Sequence, residues 1–226
     1  LIKKEGMIDK IRNRISREEF DYQMLLDCLQ GYSRPRDKIS DLIKKGHIIR
    51  IKKGLYIFGQ DYRKHPYSRE TLANLIYGPS CISLEYALSY HGMIPERSES
   101  ITSIATGRSR TYTTPVGVFS YRTVSLASFR SGVMRVELED GGAFLISSHE
   151  KALSDKIHLD RGTGIRTQKE LEEYLLVFLR IDPLVLKSLD PDKVADIGNR
   201  YKSFKVRLLS SLIKRMQRRD NEAHYA

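Results

Sequence analysis

The chain has 226 residues, with 39 Lys/Arg against 28 Asp/Glu and a formal net charge of +11, long enough for two modest domains with cores of their own. No apolar run approaches the roughly 18–20 residues of a membrane span, and no secretory signal is visible, so the cytoplasm is the expected compartment. Cys28 and Cys81 are too far apart to seed a metal-ligand cluster, and Cys28 reads as a core residue in a reducing environment.

Charge is placed unevenly. Residues 1–64 sum to +7, residues 65–199 to −2 and residues 200–219 to +8. Two basic ends around a near-neutral middle predict two contacts with a polyanion.

In chain order, Ile8, Ile11 and Ile15, with Met7 beside them, predict a first helix. Ser16 followed by Glu19 reads as a capping box for a second, with Leu25, Leu26 and Leu29 buried and Gly31 as its stop. Pro35 suits the first position of a third helix, carried by Ile39, Leu42 and Ile43 and ended by Gly46. Ile48, Ile49 and Ile51, a Lys52-Lys53-Gly54 turn and Leu55-Tyr56-Ile57-Phe58 predict a hairpin.

Three helices followed by a basic hairpin describe a winged helix-turn-helix over residues 1–60. Its third helix would enter the major groove, where Lys and Arg pair with guanine edges, and the wing would lie along phosphates. The candidate DNA contacts are Arg34, Arg36, Lys38, Lys44 and Lys45, with Arg50, Lys52 and Lys53 on the wing. Asp37 and Asp41 share the outward face; they either offset neighbouring lysines or accept from cytosine. The same unit could instead serve protein contacts through a solvated charged face.

Residues 61–68, polar and containing Pro66, read as a linker. A second domain, 69–226, begins with helices over Arg69–Tyr77 and Leu84–His91. Strands are then predicted at Ile101–Thr106, Tyr112–Thr114, Val118–Val124, Val133–Leu138 and Ala143–Ile146, with Asp140-Gly141-Gly142 as a turn. Ser147 and Glu150 form a capping box for a helix reaching Leu159. From Thr167 the chain reads as helical, broken at Asp182-Pro183 and Asp190-Pro191. The expected class is therefore α+β: a winged helix joined to an α+β domain ending in several helices.

Catalytic signals are weak. There is no phosphate-binding loop, zinc-spaced Cys/His set or serine nucleophile elbow, so no catalytic residue, metal or cofactor is assigned. Glu137 and Glu139 read as a solvated edge, and Asp190-Pro191-Asp192 as a helix start lacking the Gly-Ser that nucleotidyl transfer needs. His91, beside Gly92, reads as a capping or core residue. Arg108-Ser109-Arg110, near Tyr112 and Tyr121-Arg122, interleaves cations with aromatics; it either grips phosphate and stacks on a base, or is a solvated loop over core tyrosines. In the last helix Phe204, Leu208, Leu209, Leu212, Ile213 and Met216 form an apolar stripe opposite Arg207, Lys214, Arg218 and Arg219. With Arg108 and Arg110, these cations are candidates for a second nucleic-acid contact; a solvated face is the other reading.

Ile82-Ser83-Leu84-Glu85-Tyr86-Ala87-Leu88-Ser89-Tyr90-His91-Gly92-Met93-Ile94-Pro95-Glu96 resembles the signature of AbiEi-type antitoxins, the repressor halves of type IV toxin–antitoxin (abortive-infection) systems. The likeness continues through Arg108, Arg110, Thr114, Pro115, Gly117 and Tyr121, the Glu150-Lys151-Ala152-Leu153 helix start and the Lys53-Gly54-Leu55-Tyr56 wing. It covers roughly residues 20–160. His149 stands where the family commonly has Pro, and the last 60 residues match only in being helical. The resemblance implies a bacterial repressor that binds double-stranded promoter DNA of its own operon. It also implies a nucleotidyltransferase-like toxin as functional partner, opposed without a stable complex. The alternatives make the C-terminal domain an enzyme or small-molecule sensor, or a module that captures the toxin directly.

Overall fold

The computed structural model describes residues 6–139 and 141–224, with side chains as far as residue 219; Asp140 of the predicted turn lies outside them. At the amino end, Ile8 and Ile11 bury one face of α1 (Met7–Arg14). The second helix departs from the sequence expectation. Ser16 and Glu19 form no capping box: Glu19–Asp21 is a strand, β1, and α2 (Tyr22–Cys28) starts from Asp21, whose carboxylate accepts from the Met24 N–H at 2.9 Å. The reason lies in packing. Phe20 is buried with its ring 4.5 Å from that of Phe58, which requires extended backbone alongside a partner strand.

α3 (Pro35–Lys44) has Pro35 in its first turn, and Gly46 follows it with φ +71°, a left-handed conformation that ends helices. The hairpin of β2 (Ile48–Lys52) and β3 (Leu55–Phe58) turns at Lys53-Gly54, with Gly54 at φ +87°. These strands form an antiparallel sheet in the order β1-β3-β2.

Both faces of this small sheet are covered. Tyr56 and Phe58 pack with α1–α3, while Ile51, Leu55 and Ile57 join the core of the remaining chain. Nor is 61–68 a slack linker. The buried Glu18 carboxylate pairs with Arg12 at 2.7 Å and accepts the Lys64 and His65 N–H groups at 3.0 Å. Glu19 accepts the Ser68 N–H at 2.5 Å. Two acids beside Phe20 thus moor the connection to β1.

Beyond it come α4 (Arg69–Ile76), β4 (Ser80–Ile82), α5 (Leu84–Tyr90), β5 (Ile101–Ala105), β6 (Arg110–Thr114) and β7 (Gly117–Thr123). A short α6 (Leu126–Phe129), β8 (Val133–Glu137), β9 (Ala143–Ser147) and α7 (His149–Leu159) follow. The predicted Ser147 cap is displaced by one residue: Ser148 accepts from the Lys151 N–H at 3.3 Å, while Ser147 is buried at the end of β9. The six strands form one mixed sheet, β6-β7-β5-β4-β9-β8, in which β5/β7 and β4/β9 run parallel. β4, unanticipated, sits near its centre; three residues are too few to show alternation.

α4 packs against β4, β5 and β9, and the Tyr121 hydroxyl donates to the Ala73 carbonyl at 2.6 Å. α5 lies on β5, and α7 packs against α5. The chain ends in α8 (Gln168–Glu173, prolonged by a π-turn over Tyr174–Phe178), α9 (Pro183–Ser188), α10 (Pro191–Tyr201) and α11 (Phe204–His224). α11 packs against α7, α8, α9 and α10. The architecture is mixed α and β, and no helix among the described residues is long and apolar enough to cross a membrane.

Candidate nucleic-acid interface

Helical spacing on α3 decides which cations can act together. Ile39 and Leu42 point into the core, leaving Arg36, Asp37, Ser40, Asp41 and Lys44 exposed. Arg36, Ser40 and Ile43 form one wall of a groove of about 660 Å³, and Arg50 and Lys53 of the hairpin form the other, with Tyr22 and Tyr56 between them. Arg50 lies opposite Tyr56 in the strand pair. Burial pushes the Tyr56 hydroxyl above its ordinary range, against the pull of the Arg50 charge. Among the described residues, no carboxylate comes within ion-pair distance of Arg36, Lys44, Arg50 or Lys53. A basic groove with unpaired guanidinium and ammonium groups and a tyrosine floor suits a phosphate backbone.

The other candidates divide. Arg34 stands 4.0 Å from Asp37, both well exposed. Lys38 and Lys45 turn to the α1 side of α3, beside Asp41, Asp9 and His47, and so do not share the hairpin groove. Lys52 departs from its predicted phosphate role. Its ammonium donates to the Ile76 carbonyl at the end of α4, and burial lowers its pKa. A two-residue turn fixes this: with Lys52 paired to Leu55, whose side chain enters the core, Lys52 shares Leu55's face of the hairpin.

The predicted second contact is less available. In α11, Lys214 pairs with Asp192 at 2.8 Å, and the neighbouring Arg215 pairs with Glu172 at 2.5 Å. Arg207, Arg218 and Arg219 remain exposed. Arg110 opens the edge strand β6 and Arg108 lies in the turn before it; the Arg110 guanidinium lies 5.7 Å from the Tyr77 ring centre. Tyr121 is buried and Tyr112 packs against it, so the tyrosines serve the core. In the apolar stripe, Phe204 is exposed and Val206 takes the buried position.

Sequence reasoning missed one polar centre. Lys151 and Asp155 are wholly buried and paired; Asp155 also accepts from Ser83 at 2.6 Å and from Tyr201 at 2.5 Å, and Lys151 donates to the Tyr201 hydroxyl at 2.8 Å. The i, i+4 spacing of Lys151 and Asp155 was its only signal. With every charge answered, the group fastens the start of α5, α7 and α10 together. Nearby, burial pushes the Cys81 thiol up to about 12, which makes it a poor nucleophile at neutral pH. His91 Nε2–H donates to the Ser147 carbonyl (2.7 Å), and the ring stacks on His149; burial lowers its pKa. No cluster of three or more His, Cys, Asp or Glu among the described residues is arranged to hold a metal.

No protein-family model matches this chain, and no curated protein matches it.

Proposed function

We propose that residues 1–60 act as a winged helix-turn-helix and that the chain is a DNA-binding repressor of the AbiEi antitoxin kind. One observation carries the DNA reading: Arg36, Arg50 and Lys53 stand exposed and unpaired around the groove between α3 and the hairpin, with Lys44 exposed further along α3. In this reading α3 addresses base edges, Arg50 and Lys53 hold phosphates, and Lys52 positions the hairpin. The antitoxin role, the promoter target and the nucleotidyltransferase-like toxin rest on the sequence resemblance carried by residues 82–96. That resemblance also supports a cytoplasmic, bacterial setting without a stable toxin complex.

The test is a gel shift with duplex from the chain's own upstream region beside unrelated duplex. Preferential binding to the former supports repression; equal binding at moderate salt removes it. With about four phosphates neutralised, log affinity should fall against log salt with a slope of about −4. Transcription from that promoter should rise when Arg36 and Lys44 are replaced by Ala.

A further inference from the structure

A large cleft lies away from α3, where the helical layer of α5 and α7 stops short of the outer strands β7 and β6. It measures about 990 Å³, the upper range for a small-molecule site. Its floor is set by strand register. Thr102 pairs with Ser120, and Ser120 with Thr111, so three hydroxyl side chains line up across β5, β7 and β6 on one face. Thr102 is committed, donating to the Ser83 carbonyl and accepting the Tyr86 N–H. Ser120 and Thr111 have no such partner among the described residues. Arg122, two residues beyond Ser120, shares their face, and Arg110 falls on the opposite one, over Tyr77.

The far wall is α7 and the turn that follows it. Lys156 is bridged between Glu85 (2.8 Å) and Asp160 (3.2 Å). Burial opposes its charge, but the two carboxylates outweigh that and raise its pKa. Arg161 follows, exposed, in a turn held by Lys205, which donates to the Asp160 carbonyl at 2.7 Å and the Thr163 hydroxyl at 3.2 Å. Arg122 and Arg161 have no carboxylate partner among the described residues. Leu84 and Leu159 supply an apolar patch, and Leu84 holds φ +61°, a conformation that costs a leucine energy and recurs at ligand sites.

Two unpaired guanidiniums with free hydroxyls call for a ligand with more than one negative charge. The apolar patch beside Glu85 calls for a flat body carrying hydroxyl or amino donors. We propose that this cleft binds a nucleoside di- or triphosphate. Arg122, Arg161, Ser120 and Thr111 hold the phosphates, Leu84 and Leu159 pack the base, and Glu85 accepts from the nucleoside. The inference stands independently of DNA binding by α3.

Calorimetric titration of the full chain with ATP, GTP, CTP and UTP tests it, with pyrophosphate and a single-stranded oligonucleotide as comparators. At least one nucleotide should bind saturably at one site. Arg122→Ala and Arg161→Ala should each weaken it by about tenfold or more, and Ser120→Ala by less. Arg50→Ala/Lys53→Ala should leave it unchanged. Both arginines are exposed, and thermal melts establish that the variants fold. The proposal is overturned if none of the four binds, or if both arginine variants bind as the parent does. Pyrophosphate binding as tightly as any nucleotide reduces the cleft to an anion site. Loss of oligonucleotide binding alone makes it a strand contact.

Discussion

The α3–hairpin unit and helix α11 carry similar numbers of cations and commit different shares of them to internal ion pairs. On α3 and the hairpin, Arg36, Arg50 and Lys53 have no carboxylate partner among the described residues and face outward around one groove, with Lys44 likewise unpaired and exposed further along α3. On α11, Lys214 and Arg215 reach acids of α10 and α8, and Lys205 reaches the turn after α7. Formal charge counts both regions alike. Availability to a polyanion differs, because a cation already answered by a carboxylate displaces little counterion when DNA arrives.

The largest expected effect tests what holds the first region in place. Glu18→Ala strands a buried guanidinium and frees the 64–65 backbone, so urea unfolding should show a loss of about 3–5 kcal/mol. A loss below about 1 kcal/mol would mean that the mooring of the hairpin lies elsewhere. Next, Arg36→Ala/Arg50→Ala should weaken duplex binding by at least about tenfold, with melting temperature unchanged. Lys214→Ala/Arg218→Ala should change it less than about twofold, and equal effects would erase the contrast between the regions.

Acidification separates the regions in another way. Burial holds His91 and His158 below the ordinary 6.5, so the unfolded chain takes up their protons first. Stability is therefore full above that value and declines as pH falls below it; melting temperature should fall with it, and a flat profile would contradict the burial of both rings. The smallest effect concerns neighbours in the hairpin. Lys53→Ala should reduce the salt slope by about one, whereas Lys52→Ala should leave it alone; a reduced slope in the latter would return Lys52 to the DNA surface.

What the sequence displays is what short-range chemistry decides. The Ile8/Ile11/Ile15 stripe and Pro35 and Gly46 around α3 each act within one or two turns of chain and are where their spacing predicts, and the turn expected at Lys52-Lys53-Gly54 falls at Lys53-Gly54, with Lys52 ending β2. β1 and the direction of Lys52 were hidden because their causes are distant. Phe20 answers to Phe58, Glu18 and Glu19 to residues 64–68, and Lys52 to Ile76. The same holds for α11, whose faces are readable from periodicity but whose ion-pair partners come from other helices. Arg36, Arg50 and Lys53 were identifiable as cations beforehand; that they share a groove while Lys38 and Lys45 do not depends on how α3 is rotated against the hairpin. The Thr102–Ser120–Thr111 row exists only once three strands are in register.

Ile51, Leu55 and Ile57 line the rear of the hairpin and belong to the same apolar core as Leu72 and Ile76 of α4. A fragment cut at residue 60 would bare these aliphatic side chains to water and take the Lys64 and His65 N–H groups from Glu18 and the Ser68 N–H from Glu19. The apolar rear of the hairpin therefore needs chain beyond residue 60 to stay covered. The Lys52 ammonium, donating to the Ile76 carbonyl, ties the end of α4 to the strand that bears Arg50.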